Sequence, residues 1–242
     1  MLQTNQIYLG DCLSVMQEIE DKSVDCVVCD LPFGVTACEW DKIIDIKKLF
    51  IEYKRVTKVG GAICLFGTEP FSTLLRYNNL DCYKYDWIWD KHIPRGMHIA
   101  KVRPMQKHEN ISVFTPNGET PNYYPVMTLR DKPVKVKNYG KSQSSPLASN
   151  DGEFRIYTHK GPDSIIVGLW EANRGKLHPT QKPVSLCEYL IKTYTQENDL
   201  ILDNCFGSGS TLVAAKNLNR QFIGIEKEEK YFNIAKERLN LC

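Results

Sequence analysis

Residues 200–211 read LILDNCFGSGST. Three apolar residues run up to Asp203 and stop, which is the pattern of a short buried strand ending on a carboxylate. Gly207 and Gly209 follow, and Thr211–Leu218 reads as a helix. The glycines keep side chains out of the turn, and the first amides of the helix are free to meet a ligand. Two phosphate-binding loops do not fit. The third glycine of G-x-G-x-x-G falls at position 212, which is Leu212, and the G-K-[ST] ending of an ATP-type loop is missing. Only 31 residues follow Thr211. They hold one more strand, QFIGIE (221–226), and one closing helix carrying Tyr231, Ile234, Ala235, Arg238 and Leu239. That is too little for half of a doubly wound sheet. The missing strands must come from the start of the chain, which predicts an α/β fold with a mainly parallel sheet and helices on both faces.

The first ninety residues supply them. QIYLG (6–10) reads as a strand, and Leu13, Met16 and Ile19 mark a helix over 12–19. VDCVVC (24–29) is a strand; Ile46, Leu49, Phe50, Tyr53 and Val56 mark a helix ending near Gly60-Gly61. AICLF (62–66) is a strand, 71–77 a short helix, and YKYDWIWDK (83–91) a strand with Tyr83, Tyr85, Trp87 and Trp89 in strict alternation. From His92 to Leu177 the rhythm breaks. ISVFT (111–115) is strand-like there, while NGETPNYYPVM and KNYGKSQSSPLASNDGE read as loops. Pro183 opens a helix through Val184, Leu186, Leu190, Ile191 and Tyr194.

Four of these strands end on acids: QIYLGD at Asp11, DCVVCD at Asp30, LILD at Asp203 and FIGIE at Glu226. One such acid is an ordinary cap for the next helix. Four at the ligand-binding end of one sheet call for a ligand rich in hydrogen-bond donors. Glu226 lies 23 residues after Asp203, the spacing at which an acid takes both hydroxyls of a ribose. The combination points to an adenosine-bearing cofactor.

Composition narrows the class. No run approaches the 18 apolar residues of a membrane span, and MLQTNQIYLGD lacks a signal-peptide pattern, so a cytoplasmic protein with no membrane partner is expected. The nine cysteines are odd in number and show no disulfide rhythm. Cys26 and Cys29 stand three apart in a strand and so face opposite ways, which excludes a shared metal; no metal site is expected. Net charge is only +2, but Lys91–Lys182 carries 15 basic against 7 acidic residues, and the rest 16 against 22. A basic middle between acidic flanks suggests a polyanionic partner or, more plainly, a solvated surface.

At this point the motifs resemble a family. DLPF (30–33) resembles the [DNS]-P-P-[YFW] motif of the amino-group DNA methyltransferases, DNCFGSGST their loop for S-adenosylmethionine, and HPTQKP (178–183) the segment just upstream of it. Catalytic motif first, basic insertion second and cofactor loop last is the order of the β group. The resemblance covers about residues 6–91 and 178–240. It implies a circularly permuted Rossmann-like methyltransferase domain, 1–91 with 178–242, and a target-recognition insertion, 92–177. It implies that Asp30 and the Leu31 carbonyl hold the exocyclic amine of a flipped base, N6 of adenine before N4 of cytosine. Pro32 stiffens the turn, and Phe33 stacks on the base. Leu31 departs from the usual proline, yet the chemistry asks that position only for a backbone carbonyl.

For the cofactor the resemblance implies Asp11 at the adenine amine, with Cys12 beside it, and Asp203, Phe206, Gly207 and Gly209 at the methionine part. Ser210 and Thr211 would meet its carboxylate, and Glu226, with Lys227 next to it, the ribose. Lys182 would balance the carboxylate, or serve the structure or the DNA instead; Phe33 and Phe206 also read as plain core residues. Arg95, Lys101, Arg103, Lys107 and His108 are the basic run expected on double-stranded DNA, with Lys132, Lys135, Lys137 and Lys141 a second. A monomer or a homodimer fits. The rival readings are an RNA substrate, a catalytically silent DNA-binding module, and a nucleotide-dependent oxidoreductase, the last opposed by Leu212 and the acid cluster.

Overall fold

The computed structural model describes residues 1–34, 42–137, 153–170, 177 and 180–241. In chain order its elements are β1 (Gln6–Leu9), α1 (Cys12–Met16), β2 (Val24–Cys29), α2 (Ile46–Val56), β3 (Thr57–Gly67), α3 (Phe71–Tyr77) and β4 (Tyr83–Arg95). A single 3-10 turn (Met97–Ile99) precedes β5 (Gln106–Phe114), β6 (Thr128–Lys137), β7 (Phe154–Lys160) and β8 (Ile165–Ile166). The chain closes with α4 (Val184–Tyr194), β9 (Leu200–Asp203), α5 (Ser210–Asn217), β10 (Gln221–Glu226) and α6 (Glu229–Leu239).

Eight strands form one sheet in the order β1-β10-β9-β2-β3-β5-β4-β8. β1, β10, β9, β2 and β3 run parallel, so the two strands nearest the C-terminus lie between the first two of the chain. Strands from the start of the chain thus complete the sheet around β9 and β10, as expected. Side chains alternate across β2: Cys26 and Val28 enter the core under α4, α5 and α6, while Val27 and Cys29 enter the core under α1, α2 and α3. The C-x-x-C is thus split between two faces. The seven described cysteines are all free, and six are buried.

Three expectations are corrected. The helix expected to end near Gly60-Gly61 stops at Val56, and β3 runs straight through both glycines. The pair marks a close approach of backbones: a Cβ on Gly61 would lie 2.8 Å from the Asp25 carbonyl oxygen, where β2 and β3 shift register. The strict alternation of 83–91 is broken by a shift between Tyr83 and Tyr85, so Tyr83 packs in the other core from Tyr85 and Trp87. The rhythm does not end at His92: β4 continues to Arg95, and β5 returns antiparallel between β3 and β4.

The chain divides into two compact units, Met1–Tyr124 with Ser164–Cys242, and Pro125–Asp163. The second is narrower than 92–177 because β4, β5 and β8 are hydrogen-bonded into the main sheet. Within it, β6 and β7 pair as an antiparallel ribbon that sequence periodicity did not reveal. Most of KNYGKSQSSPLASNDGE, with Lys141, and the first two residues of HPTQKP lie outside the described residues. Among the described residues no helix is long and apolar enough to cross a membrane, and no group of His, Cys, Asp or Glu is arranged to hold a metal ion.

Candidate active site

The carboxyl ends of β1, β10, β9 and β2 are neighbours, so the acids after them line up along one sheet edge: Asp11, Glu226, Asp203, Asp30. All four line a single cavity of about 1140 Å³. Cys12, Leu31, Pro32, Phe33, Lys182, Phe206, Gly207, Ser210, Thr211, Lys227 and Arg95 line it too. The sequence-predicted cofactor and catalytic residues therefore meet at one place, except Gly209, which does not line the cavity.

Each acid is held differently. Asp11 caps α1, accepting from the Leu13 and Ser14 amides at 3.1 and 3.3 Å. Glu226, buried, accepts from Gly207 N–H through Oε2 and from the Lys227 and Glu228 amides through Oε1, each near 2.8–2.9 Å. Burial pushes its carboxyl up, and those amides pull it part of the way back. Asp203 is more deeply buried, and burial pushes its carboxyl up to about 7 despite hydrogen bonds from Thr211 and from the Cys205 amide. Asp30 accepts from Lys182 Nζ at 2.6 Å.

The glycine loop does two jobs. Gly207 and Gly209 both adopt positive φ, +52° and +79°. A Cβ on Gly209 would meet the Ala235 Cβ at 3.0 Å, so that glycine also lets α6 pack on the start of α5. Ser210 Oγ is buried at the head of α5 without a hydrogen-bond partner, beside the cavity. Phe206 is 5% exposed and belongs to the core, packing toward Phe232.

Around Asp30, Leu31 is buried in the core, which accounts for an apolar side chain at that place. Phe33 lies with its ring 5.0 Å from that of Phe71 and one side on the cavity. Lys182 turns out to pair with carboxylates: besides Asp30 it meets Glu109 Oε2 at 3.2 Å, and Lys91 meets Glu109 Oε1 at 3.2 Å. Glu109 was missed from sequence. Its signal was there: Glu109, Ile111 and Val113 alternate on β5, which puts the acid on the face of two buried residues. Of the expected DNA contacts, Arg95 reaches the cavity, while Lys101, Arg103, Lys107 and His108 are exposed, and Lys107 pairs with Asp90 at 3.1 Å.

A mainly parallel α/β sheet thus carries an acid-lined cleft, a glycine loop and a D-L-P-F strand end together at the carboxyl ends of its strands. Comparison with known proteins gives the family. Residues 24–237 match the model of the N6/N4 DNA methylase family, and the chain belongs to that family of DNA methyltransferases. It is 31% identical to the Type II methyltransferase M.HinfI of Haemophilus influenzae over 97% of this chain and 68% of that one. The solved complex of M1.HpyAVI with SAM superposes with a TM-score of 0.64 at 27% identity, covering 98% of this chain and 99% of that one. The fold is also that of the cytosine-N4-specific PvuII DNA methyltransferase, with a TM-score of 0.64 at 16% identity, covering 99% and 94% of the two chains.

Proposed function

We propose that this chain transfers a methyl group from S-adenosylmethionine to the N6 amine of an adenine flipped out of double-stranded DNA. The observation that carries the reading is the placement of Asp30 and the Leu31 backbone at the end of β2, in the same cavity as Asp203, Glu226 and the glycine loop.

The residues fit the cofactor. The buried, unpartnered Ser210 Oγ at the head of α5 is a ready donor for a carboxylate, as are the nearby helix amides. Glu226 has both oxygens anchored by backbone amides, two on Oε1 and one on Oε2, which leaves a lone pair on Oε2 for a ribose hydroxyl. Asp203 suits an ammonium, with Thr211 holding it, and Asp11 and Cys12 line the place for the adenine. When bound, the cofactor supplies an electrophilic methyl on a sulfonium. The chain's part is positioning. An exocyclic amine is a poor nucleophile because its lone pair is delocalised into the ring. The Asp30 carboxylate and the Leu31 carbonyl accept its two hydrogens and hold the nitrogen tetrahedral, lone pair toward the methyl. The extra proton left after transfer goes to Asp30 and on to solvent. Pro32 fixes the turn, and Phe33 gives the base a ring to stack on, worth about 1–3 kcal/mol against an extrusion cost of roughly a few.

Adenine is favoured because an acid opens the D-L-P-F motif, where cytosine enzymes of this family tend to carry serine. Cytosine N4 is the second reading, since the same fold serves the PvuII enzyme. Residues 92–177 are the target-recognition segment in this proposal, with Arg95, Lys101, Arg103, Lys107 and His108 on the DNA. The test is transfer of labelled methyl from S-adenosylmethionine to mixed-sequence duplex DNA, with digestion to nucleosides. N6-methyladenine is expected. N4-methylcytosine keeps the mechanism and overturns the base; no label in the DNA overturns the substrate.

A further inference from the structure

Four charged side chains run in alternation beside the transfer site: Lys91, Glu109, Lys182, Asp30. They come from β4, β5, the segment before α4, and the end of β2. Their side chains are 15%, 13%, 9% and 22% exposed. Glu109 is the register partner of Trp89, so Trp89, Glu109 and Lys91 point to one face of the sheet. Lys182 Nζ also lies 5.1 Å from the ring centre of Phe66 and 5.9 Å from that of Phe33. The chain of four carries no net charge.

Buried ions are costly unless compensated, and these sit where nothing in the methyl transfer itself requires a lysine. Their arrangement answers a specific problem. Asp30 must remain an anion to accept hydrogen bonds from an amine. A lone ammonium would keep it ionised but would also monopolise it. Sharing the ammonium between two carboxylates removes that difficulty. Burial opposes the charged form of Lys182, but Asp30 and Glu109 together hold it above the usual lysine range. Burial likewise opposes the Glu109 anion, and Lys182 and Lys91 hold it below the usual carboxylate range.

We propose that Lys182 and Glu109 are positioning residues for Asp30: the shared ammonium keeps that carboxylate ionised and fixed in direction, and Glu109 keeps the ammonium in place when Asp30 turns its oxygens to the amine. The inference rests on the reading of Asp30 given above. It also gives Lys182 a task other than meeting the cofactor's carboxylate. The other titratable groups that act on this corner are Asp203 at the end of β9, Cys29 beside Asp30 and Cys187 on α4.

The test follows the Asp30 carboxyl directly, by carbon NMR of the full chain labelled at aspartate Cγ, with Asp30→Asn to assign the signal. Lys182→Met is expected to move its titration midpoint up by about one unit or more, the size of effect an opposite charge at this distance gives. Glu109→Gln is expected to move it down, because Lys182 then acts on Asp30 alone. Lys182→Arg should restore the parent midpoint. The acid limb of kcat for methyl transfer should shift in the same two directions. Opposite shifts support the proposal; unmoved midpoints, or shifts of one sign in both variants, overturn it and leave a merely structural ion cluster. Should either variant fail to fold by circular dichroism, Lys182→Gln and Glu109→Asp, which remove the ammonium and lengthen its second pair, must move the midpoint in those same two directions. A parent protein that transfers no methyl would refute the proposed function, while the titration would still decide this proposal.

Discussion

The acid-tipped sheet edge and the β6–β7 ribbon are built on opposite terms. Every residue of β9 is buried, and so is all of β10 after Gln221. Every residue of β7 is exposed, and so is β6 apart from Arg130. In the first region each polar group must find a partner, so an acid there is held in a defined geometry. In the second, water satisfies everything, and residue choice is free to follow whatever surface the ribbon meets. The difference implies that substitutions at the sheet edge change chemistry steeply, while those on the ribbon change it by degrees.

The steepest case is Asp30→Ala. Removing a preorganised electrostatic partner of a reacting group costs roughly 100–1,000-fold in turnover. Labelled-methyl assays are expected to show at least that loss, with S-adenosylmethionine affinity by calorimetry changed less than about threefold. Turnover within tenfold of the parent would mean that the D-L-P-F acid is one more strand-end cap, and that the sheet edge is as permissive as the ribbon.

Asp203 gives a pH-dependent effect of intermediate size. With its carboxyl near 7, the folded chain keeps a proton that the unfolded chain gives up near its ordinary value. The stability that this proton contributes is complete at low pH and is lost as pH rises toward about 7. A ligand bearing an ammonium reverses the preference, since it binds the anion and drives the proton off. Affinity for S-adenosylmethionine should therefore rise as pH passes through about 7. Asp203→Asn should flatten that rise and weaken binding at higher pH by roughly 10–100-fold, the size of effect that removal of a charged hydrogen bond gives. An affinity that stays level with pH in the parent would remove Asp203 from the ammonium.

How far the sequence could be read follows the same division. The bounds of β2, β9, β10, α3 and α4 are those that periodicity predicts, because the three strands are mostly buried apolar runs that stop at an acid and the two helices open directly after Pro70 and Pro183. The four acids were legible because each interrupts such a run. Gly60-Gly61 misled because a glycine pair ends helices more often than it lets two strands approach. Glu109 was hidden by its polar neighbours in Gln106–Asn110, where the alternation that buries it begins only at its own position. The ribbon was illegible for a physical reason: with both faces in water, neither Leu129, Val134 and Val136 nor the lysines among them needs to keep a period of two.

The ribbon supplies the gentlest prediction. On one of its faces Lys135 Nζ lies 4.7 Å from the ring centre of Phe154 and Lys137 Nζ 5.9 Å, with Ile156 paired to Lys135 across the strands. A cation over an exposed ring is worth about 0.5–1 kcal/mol, so the lysines do little for the fold. What they add is two positive charges on a two-stranded ribbon, an element of a width that a DNA major groove admits. Lys135→Ala with Lys137→Ala is expected to leave the melting temperature nearly unchanged. Duplex affinity should weaken, and the slope of log affinity against log salt should fall by about 0.9 for each phosphate that the variant no longer neutralises. Weaker affinity with an unchanged slope would point to base reading by these side chains. No change in either would detach the ribbon from DNA altogether, and would leave Arg95, Lys101, Arg103, Lys107 and His108 to carry the polyanion alone.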